Sequence, residues 1–445
     1  MDMARKDMRS QRVTDRLVGS EVLLVEDSRT YAEALRCHFD EYYGIKVTHC
    51  ASRDELESAL EKDYSRFSLA MVDLNLPGAP GGEALDFLLS KGVPSIVFTA
   101  TFSQSKRLAV LQKPVADYVL KDGPEALNNL VSSAVRLMNN RDIHVLVVDD
   151  MTSTRELISS HLRSQLFRIT SVARGEDALA KLKAVADIDL MVCDYEMPKM
   201  NGVELVRAIR TDRDLDRVRI IGVSSADRPD VMTQFLKAGA NDFVHRPFNM
   251  DEFYWRVAQN VGTVLQMRGL RDLAARDYLT GLYNRRHFFV EGPRQVATFR
   301  NEDIQTPMAM AVMDIDNFKR LNDTYGHEIG DVVLKAVSNR MAKHCGSKHM
   351  LARLGGEEFG ILIRNLDMSA AKEFCDALRE KIARKPIPTD DGKLDVTISI
   401  GIAEIAELET FDNYLNAADQ FLYMAKHAGR NCVISEEDLN RRQVA

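Results

Sequence analysis

The chain has 445 residues, of which 45% are apolar and 28% are charged, as in a soluble protein with several domains that each bury a core. Its net charge of −7 argues against nucleic acid as a partner. No apolar run reaches the roughly 18 residues of a membrane span and no signal-peptide core opens the chain, so we predict a cytoplasmic protein without membrane insertion.

One pattern occurs twice within the first 250 residues. An apolar run ends in an acidic pair, and later runs end in a lone aspartate, a hydroxyl residue and a basic residue, always in that order. In the first copy these residues are Glu26, Asp27, Asp73, Thr99 and Lys121. In the second copy they are Asp149, Asp150, Asp194, Ser224 and Arg246. The spacing between the copies is nearly constant, which indicates a duplicated domain.

The alternation of apolar runs with amphipathic segments predicts βαβ units, and therefore two doubly wound parallel sheets of the (βα)5 kind. Sites in such sheets form at the carboxyl ends of the strands, where all of the polar residues above lie. A single aspartate at a strand end is more often a cap or turn residue. Carboxylates that converge repel one another unless a cation binds them or one is modified, so the repeated set favours a functional site.

On these residues, both segments resemble receiver domains of two-component response regulators, over residues 20–138 and 142–248. The resemblance implies that Asp73 and Asp194 accept a phosphoryl group from a cognate sensor histidine kinase. It also implies a Mg²⁺ site in each copy, with ligands from Glu26, Asp27 and Asp73 and from Asp149, Asp150 and Asp194. The remaining residues form the receiver switch: Thr99, Lys121, Ser224 and Arg246.

The two copies depart from the receiver pattern differently. The segment from Asp73 to Thr99 is four residues shorter than its counterpart, which predicts a trimmed loop or helix. In the second copy Arg246 replaces the usual lysine, and a planar guanidinium is not equivalent to an amine at a tight phosphoryl site. We therefore predict Asp73 as the principal phosphoacceptor and leave Asp194 open, with the second copy serving partly in dimerisation or as an adaptor.

Residues 249–276 follow without a proline and predict a connecting helix that begins with a capping box at Asn249 and Glu252. Val257, Val261 and Val264 resemble the start of a coiled-coil seam, but Arg268 interrupts the heptad. A plain connecting helix is favoured over a coiled coil.

Two acidic segments follow in the last third of the chain. The apolar run 308–313 predicts a buried strand with Asp314 at its carboxyl end. Farther on, Gly355 and Gly356 lie between apolar residues and predict a two-residue hairpin turn, after which Glu357 and Glu358 point to opposite faces of a strand. An acidic hairpin tip on a solvated surface is the alternative. Carboxylates at two such ends suit a hard divalent cation, which can also hold a triphosphate.

These residues, and the segment opening at Asp277, resemble the GGDEF domain of diguanylate cyclases in its Gly-Gly-Glu-Glu-Phe form, over residues 277–436. The resemblance implies an α+β, palm-like fold of the nucleotidyl-cyclase kind. It also implies condensation of two GTP into cyclic di-GMP by a homodimer with Mg²⁺ or Mn²⁺. Glu357 is implied as the catalytic residue. The implied metal ligands are Asp314, Glu358 and the backbone carbonyl of Ile315, and the implied substrate-binding residues are Phe318, Lys319, Asn322, Asp331, Lys426 and Arg430.

One family feature is missing. The inhibitory Arg-x-x-Asp motif that many relatives carry before the hairpin is replaced by residues with Gly346 and His349 at the matching positions. We therefore predict no inhibitory site and weak or absent product inhibition. Residues 364–367 have the letters of the motif but follow the hairpin, so they are interpreted as a strand end and turn.

Three other functions compete with a cyclase. A catalytically silent scaffold that binds GTP or cyclic di-GMP would fit better if Asp314, Glu357 or Glu358 were replaced, and all three are present. A phosphodiesterase would need an additional domain. A DNA-binding regulator would need a helix-turn-helix region, and no unassigned segment remains for one.

Overall fold

The computed structural model describes residues 17–100, 113–185, 187–212, 215–225, 229–301, 307–389, 392–406, 409–436 and 438. Residues 1–16, on which the prediction of no signal peptide depends, lie outside this description, as do residues 101–112 of the first predicted domain. The chain divides into two compact units, one up to Met267 and one from Arg268 onward. Across the described residues, every helix is too short or too polar to cross a bilayer.

The first sheet has the parallel strand order β2-β1-β3-β4-β5. Its strands are β1 (Glu21–Val25), β2 (Lys46–Cys50), β3 (Phe67–Val72), β4 (Ser95–Thr99) and β5 (Asp117–Leu120). Helices α1 (Arg29–Tyr43), α2 (Arg53–Asp63), α3 (Glu83–Ser90) and α4 (Ala126–Asn140) accompany them. Successive residues of β1 alternate between two cores, since Leu24 packs with Phe39 and Leu23 packs with Leu56. Both faces of this sheet are therefore covered, as parallel sheets require.

The second sheet repeats this topology in the order β7-β6-β8-β9-β10. Its strands are β6 (His144–Val148), β7 (Arg168–Val172), β8 (Ile188–Asp194), β9 (Arg219–Ser225) and β10 (Asp242–Arg246). Its helices are α5 (Thr152–Ser164), α6 (Gly175–Ala184), α7 (Gly202–Thr211) and α8 (Pro229–Ala238). The duplication and the doubly wound fold are thus confirmed. Helix α3 has 8 residues where α7 has 10, so part of the predicted shortening of the first copy falls on this helix.

Helix α9 (Met250–Ala275) is continuous, but its first half does more than connect. Phe253, Val257 and Val261 are buried in the core of the second sheet, so this half completes that domain. The predicted capping box is wrong, although Asn249 does cap the helix. Asn249 accepts the N–H of Asp251, whereas the carboxylate of Glu252 binds Arg256, one helical turn away.

The second unit has a mixed sheet in the order β11-β13-β14-β12-β17-β18, which confirms the α+β prediction. The strands of this unit are β11 (Tyr283–Asn284), β12 (Met308–Ile315), β13 (Met350–Gly355), β14 (Glu358–Arg364), β15 (Ile387–Thr389), β16 (Gly392–Leu394), β17 (Ile398–Glu404) and β18 (Val433–Ser435). Its helices are α10 (Arg285–Asn301), α11 (Phe318–Tyr325), α12 (His327–Cys345), α13 (Met368–Ala383) and α14 (Phe411–His427). Strand β12 is buried along its whole length and pairs antiparallel with β14 and β17.

Helix α14 packs directly on strand β17 because position 401 is a glycine. A Cβ at Gly401 would lie 2.1 Å from the carbonyl oxygen of Ala418 and 2.2 Å from the amide nitrogen of Leu422. Any larger residue would force the helix away from the sheet. This close approach sets the distance between the end of α14 and the end of β12.

Candidate functional sites

The first acidic site lies at the carboxyl edge of sheet β1–β5. Strands β1 and β3 are neighbours, with Val25 opposite Val72, so the residues that follow them meet. Carboxylate oxygens of Glu26, Asp27 and Asp73 lie within 4.8 Å of one another, and Glu26 and Asp73 are buried. The structure therefore brings together the three carboxylates that the sequence placed at strand ends.

Lys121, which follows β5, supplies the positive charge at this site. Its Nζ lies 2.6 Å from Oε2 of Glu26 and 2.5 Å from Oδ2 of Asp73. It also lies 5.2 and 5.0 Å from the ring centroids of Tyr31 and Phe98. Burial raises the pKa of Glu26. Burial lowers the pKa of Lys121, but its hydrogen bonds to Asp73 and Glu26 outweigh this and raise the pKa. The amine is thus held in its charged form between two acids.

The second acidic site repeats the arrangement with a different cation. Carboxylate oxygens of Asp149, Asp150 and Asp194 lie within 4.8 Å of one another. The Arg246 guanidinium contacts Asp149 through Nη2 and lies 3.3 Å from Oδ1 of Asp194 through Nη1. Burial raises the pKa of Asp194 to about 6, an effect that Arg246 opposes and Asp149 reinforces.

Two hydroxyls complete these sites. Thr99 ends β4, and Ser224 lies in β9 one residue before its end. Both side chains are buried, and neither hydroxyl oxygen has a hydrogen-bond partner among the described residues. Because a buried unpaired hydroxyl is unfavourable, each is suited to a polar group that arrives at the neighbouring aspartate. The all-oxygen carboxylate sets also fit Mg²⁺, which prefers such ligands.

In the second unit, residues far apart in the sequence meet at the end of β12. Asp314 is paired directly with Glu358 of β14 in antiparallel register. Directly opposite residues project on the same face with Cβ atoms about 4.5–5.5 Å apart. The N–H of Ile315 donates to the carbonyl of Glu357 at 3.3 Å. The predicted metal ligands and the predicted catalytic residue therefore lie together.

The hairpin turn differs by one residue from the prediction. Strand β13 ends at Gly355, which pairs with Glu358, so Gly356 and Glu357 form the turn instead of the two glycines. Only Gly356 has a positive φ, of 39°. Its carbonyl accepts two hydrogen bonds from the guanidinium of Arg353, which hold it in the turn. Glu357 consequently stands at the tip, and Glu358 begins the strand.

Lys426 was expected to contact a triphosphate, and here it contacts Asp314. Its Nζ lies 2.7 Å from Oδ2 of that carboxylate. Burial raises the pKa of Asp314 to about 6, with Lys426 opposing the shift and Glu357 and Glu358 adding to it. Glu358 is exposed, and the described residues hold three-acid clusters only in the first unit. Asp314 and Glu358 offer oxygen ligands that fit Mg²⁺ or Mn²⁺, with the amine of Lys426 beside them.

Four further substrate-binding candidates lie on helices α11 and α12. Lys319 and Asp331 are exposed. Phe318 instead is buried in the domain core, so it acts through packing and does not present an open surface. Asn322 has a buried Oδ1 without a hydrogen-bond partner among the described residues. A Cβ at Gly330 would lie 1.9 Å from that oxygen, so the glycine makes room for it.

Arg430 follows helix α14 with a φ of 65°. This left-handed conformation is uncommon for an arginine. The positive φ of Arg430 changes the direction of the chain after the helix, and the sequence did not predict this change.

Sequence reasoning also missed residues that brace the site. Arg353 bonds Asp277 at 3.1 Å as well as the hairpin carbonyl. Asp316, two residues after Asp314, is buried and accepts hydrogen bonds from Ser399 and Thr397. The sequence feature that could have identified Asp316 is its position two residues after Asp314, just past the end of strand β12.

The positions of the missing inhibitory motif have structural roles in this chain. Gly346 ends helix α12 with a φ of 58°. The Nδ1 of His349 accepts the N–H of Arg364 at 3.2 Å, and its ring packs on Phe374. Arg364 ends β14 and Asp367 caps α13, which confirms the interpretation of residues 364–367 as a strand end and turn.

Comparison with known proteins covers nearly the whole chain. Residues 22–132 and 145–258 match the response regulator receiver domain, and residues 274–432 match the diguanylate cyclase GGDEF domain. The response regulator PleD of Caulobacter vibrioides is 25% identical over 461 residues, covering 94% of this chain and 100% of that protein.

Two further similarities are narrower in extent. Diguanylate cyclase DgcP of Pseudomonas aeruginosa is 38% identical over 161 residues, which cover 36% of this chain and 24% of that protein. A crystal structure of a two-component system response regulator/GGDEF domain protein is 36% identical with a TM-score of 0.51. It covers 55% of this chain and 99% of its own.

Proposed function

This chain belongs to the response regulators that carry a GGDEF diguanylate cyclase domain, and from that premise we propose how its cyclase works and is controlled. We propose receivers at residues 20–138 and 142–248, a connecting helix at 249–276 and a cyclase domain at 277–436, which condenses two GTP into cyclic di-GMP and two pyrophosphates. The observation that carries the proposal is the pairing of Asp314 with Glu358 beside the turn residue Glu357.

Each side chain has a defined task in this proposal. Glu357, at the hairpin tip, positions the attacking 3′-hydroxyl of GTP and accepts its proton as the new ester bond forms. Asp314, Glu358 and the carbonyl of Ile315 would hold Mg²⁺ or Mn²⁺. The bound cation would neutralise charge on the phosphoryl oxygens. Lys426 contacts Asp314 at 2.7 Å, within reach of phosphates held at the same carboxylate.

Recognition of guanine follows from the donors on the base. A carboxylate can accept both the N1–H and the exocyclic amine of guanine, and adenine lacks that pair of donors. We assign this task to Asp331, which is exposed, together with Asn322, whose Oδ1 lacks a protein partner among the described residues. Lys319 and Arg430 supply charge for the triphosphate, and Phe318 supports α11 from the core.

The reaction requires two copies of the domain. One domain holds one GTP, and each 3′-hydroxyl must attack the α-phosphate of the other nucleotide while pyrophosphate leaves. We therefore propose a homodimer in which two cyclase sites face each other. Bringing the two nucleotides together in one orientation supplies much of the rate enhancement, because it makes the reaction effectively unimolecular.

The receivers are proposed to control that meeting. A sensor histidine kinase transfers a phosphoryl group to Asp73, the hydroxyl of Thr99 hydrogen-bonds it, and Lys121 pairs with it. The unpaired, buried hydroxyl of Thr99 supports this assignment. The added charge of about −1.5 to −2 changes the balance at the acidic site and so biases the receiver between states. GTP and kinases of this class are cytoplasmic, and we place the protein there.

The test incubates the purified full-length protein with GTP and Mg²⁺, with and without beryllofluoride, and separates the nucleotides. We expect cyclic di-GMP to form, and both its rate and the dimer geometry to change with beryllofluoride. Glu357→Ala should lower turnover by about a hundredfold or more, as loss of a proton-accepting residue does. Retained turnover in Glu357→Ala would contradict the assigned chemistry, and GTP binding without any turnover in the parent would favour the silent scaffold.

A further inference from the structure

The carboxylate of Asp316 connects three segments of the cyclase domain. Its Oδ1 accepts from the hydroxyl of Ser399 at 2.6 Å, and its Oδ2 accepts from the hydroxyl of Thr397 at 2.7 Å. The Oδ2 also accepts the backbone N–H of Asn431 at 3.0 Å. Only 9% of this residue is exposed. Burying a carboxylate destabilises the folded state unless its oxygens accept hydrogen bonds. Both oxygens of Asp316 do so.

The segment that Asp316 binds has an unusual backbone. Gly429, Arg430 and Asn431 have φ angles of 113°, 65° and 44° in succession. Residues with a side chain adopt this left-handed region only where surrounding bonds determine it, and such strain concentrates at functional sites.

Few bonds hold this turn in place. The N–H of Arg430 donates to the carbonyl of Ala425 at 3.1 Å, and Arg379 donates to the side chain of Asn431 at 3.0 Å. Among the described residues, the hydrogen bond from Asn431 to Asp316 ties the turn to the end of strand β12.

Two of the three cations assigned to the triphosphate, Lys426 and Arg430, are therefore tied to the same strand end. Lys426 reaches Asp314 through its amine, and the turn that carries Arg430 reaches Asp316 through the next amide. The glycine at 401 brings helix α14 close enough for both contacts. Asp314 and Asp316 thus have different contacts. Asp314 contacts the amine of Lys426, and Asp316 accepts a backbone N–H.

We propose that Asp316 is a positioning residue for the triphosphate: it fixes the left-handed turn and so sets where Arg430 meets the phosphates, without touching GTP itself. The inference rests on the proposed function, in which Arg430 binds the triphosphate. A merely structural role would lower stability and leave the affinity for GTP unchanged. A positioning role weakens GTP binding in a protein that is still folded.

The experiment measures KM for GTP, kcat and the Kd of a nonhydrolysable GTP analogue in the full-length protein. Asp316→Asn keeps the shape but removes the charge that strengthens the bond to Asn431. We expect KM and Kd to rise about tenfold while kcat changes by less than about threefold, because the bond that holds the amide next to Arg430 loses its charge assistance.

The matched control is Asp367→Ala. Asp367 caps helix α13 of the same domain by accepting the N–H of Ala370 at 2.8 Å, and it has no part in the GTP site. Loss of an N-cap should destabilise the domain, typically by about 1 kcal/mol. Its KM for GTP should stay at the parent value. Equal KM values in Asp316→Asn and Asp367→Ala would overturn the positioning role.

Rescue provides a second criterion. Asn431→Gly removes the strain of the left-handed conformation, because glycine adopts a positive φ readily. In the double variant Asp316→Asn/Asn431→Gly, the turn should keep its shape without the carboxylate, and KM should return to within about threefold of that of Asn431→Gly alone. A KM that remains about tenfold higher contradicts the argument from strain.

Arg430→Ala separates this inference from the proposed function. A raised KM in Arg430→Ala with an unchanged KM in Asp316→Asn overturns the inference alone. An unchanged KM in Arg430→Ala overturns the assignment of Arg430 and the inference with it. If Asp316→Asn does not fold, Ser399→Ala takes its place. It loosens the carboxylate by one hydrogen bond and should raise KM about threefold, and an unchanged KM would again overturn the inference.

Discussion

The two receivers are copies with one topology, yet their acidic sites are neutralised in different ways. In the first, the amine of Lys121 lies 2.6 Å from Glu26 and 2.5 Å from Asp73. In the second, the guanidinium of Arg246 is spread across Asp149 and Asp194, and its Nε is buried without a partner among the described residues. The shared scaffold thus places the acids alike in both copies, and the copies differ in the cation that contacts them.

An amine and a guanidinium respond differently to an incoming phosphoryl group. The Lys121 amine is a compact charge on a flexible stem, so it can leave Asp73 and follow a phosphoryl oxygen. Lys121 and Arg246 each contact two acids, but the fork of Arg246 is planar and rigid, so its Nη2 contact to Asp149 and its Nη1 contact to Asp194 must be given up together. We therefore expect Asp73 to be the faster acceptor, although each site holds three carboxylates and a buried hydroxyl without a hydrogen-bond partner among the described residues.

The largest expected effect separates the two acceptors directly. Asp73→Asn should reduce phosphoryl incorporation from acetyl phosphate by about tenfold or more, because the attacking carboxylate is gone. Asp194→Asn should leave most of the incorporation intact. Intact-protein mass spectrometry in the presence of Mg²⁺ measures both. Equal losses in the two variants would show that the copies are equivalent and would break the comparison.

Exchanging the two cations should move the chemistry between copies. Arg246→Lys should let Asp194 accept a phosphoryl group, because a flexible amine replaces the fork, and should raise incorporation toward two groups per chain. Lys121→Arg should slow incorporation at Asp73 by about tenfold. Peptide mapping after borohydride trapping identifies the modified aspartate. If Arg246→Lys leaves Asp194 unmodified, the guanidinium is not what limits the second site.

The smallest expected effect concerns the pH dependence of stability. Burial raises the pKa of Asp194 from 3.8 to about 6, so the folded state binds more protons than the unfolded state between these values. The free energy of unfolding therefore falls as the pH rises from about 4 to about 6. Asp194→Asn, which cannot ionise, should be more stable than the parent by about 1–2 kcal/mol above pH 6.5 and about equal to it near pH 4.

Hydrogen exchange of the β8 amides in EDTA measures this difference within the full-length chain. The matched variant Asp73→Asn should show the opposite sign near neutral pH, since Lys121, whose side chain is more deeply buried than that of Arg246, would lose one of its two counter-charges. If the stability difference between Asp194→Asn and the parent does not vary with pH, burial does not raise the pKa of Asp194.

Much of this molecule was predictable because its signals are local. Parallel strands present their carboxyl ends at one edge, so an acid after β1 and another after β3 meet as soon as the strands pair. Asp314 and Glu358 meet in a different way, since the carboxyl end of β12 lies beside the start of the antiparallel strand β14. The alternation of apolar runs with amphipathic segments and the order of the motifs were sufficient for the receiver sites, whereas the roles of Asp314 and Glu358 were implied by the resemblance to the GGDEF domain.

Strand-end residues and short-range periodicity were enough to predict three domains and the two acidic edges of the receivers, and the resemblance to the GGDEF domain implied that Asp314 and Glu358 bind one metal ion. Tertiary structure decided that Gly356 and Glu357 form the turn, that Lys426 binds Asp314, and that Asp316 binds an amide more than 100 residues away. These depend on which of several possible partners lies closest once helix and sheet have packed. No pattern of neighbours along the chain encodes that choice.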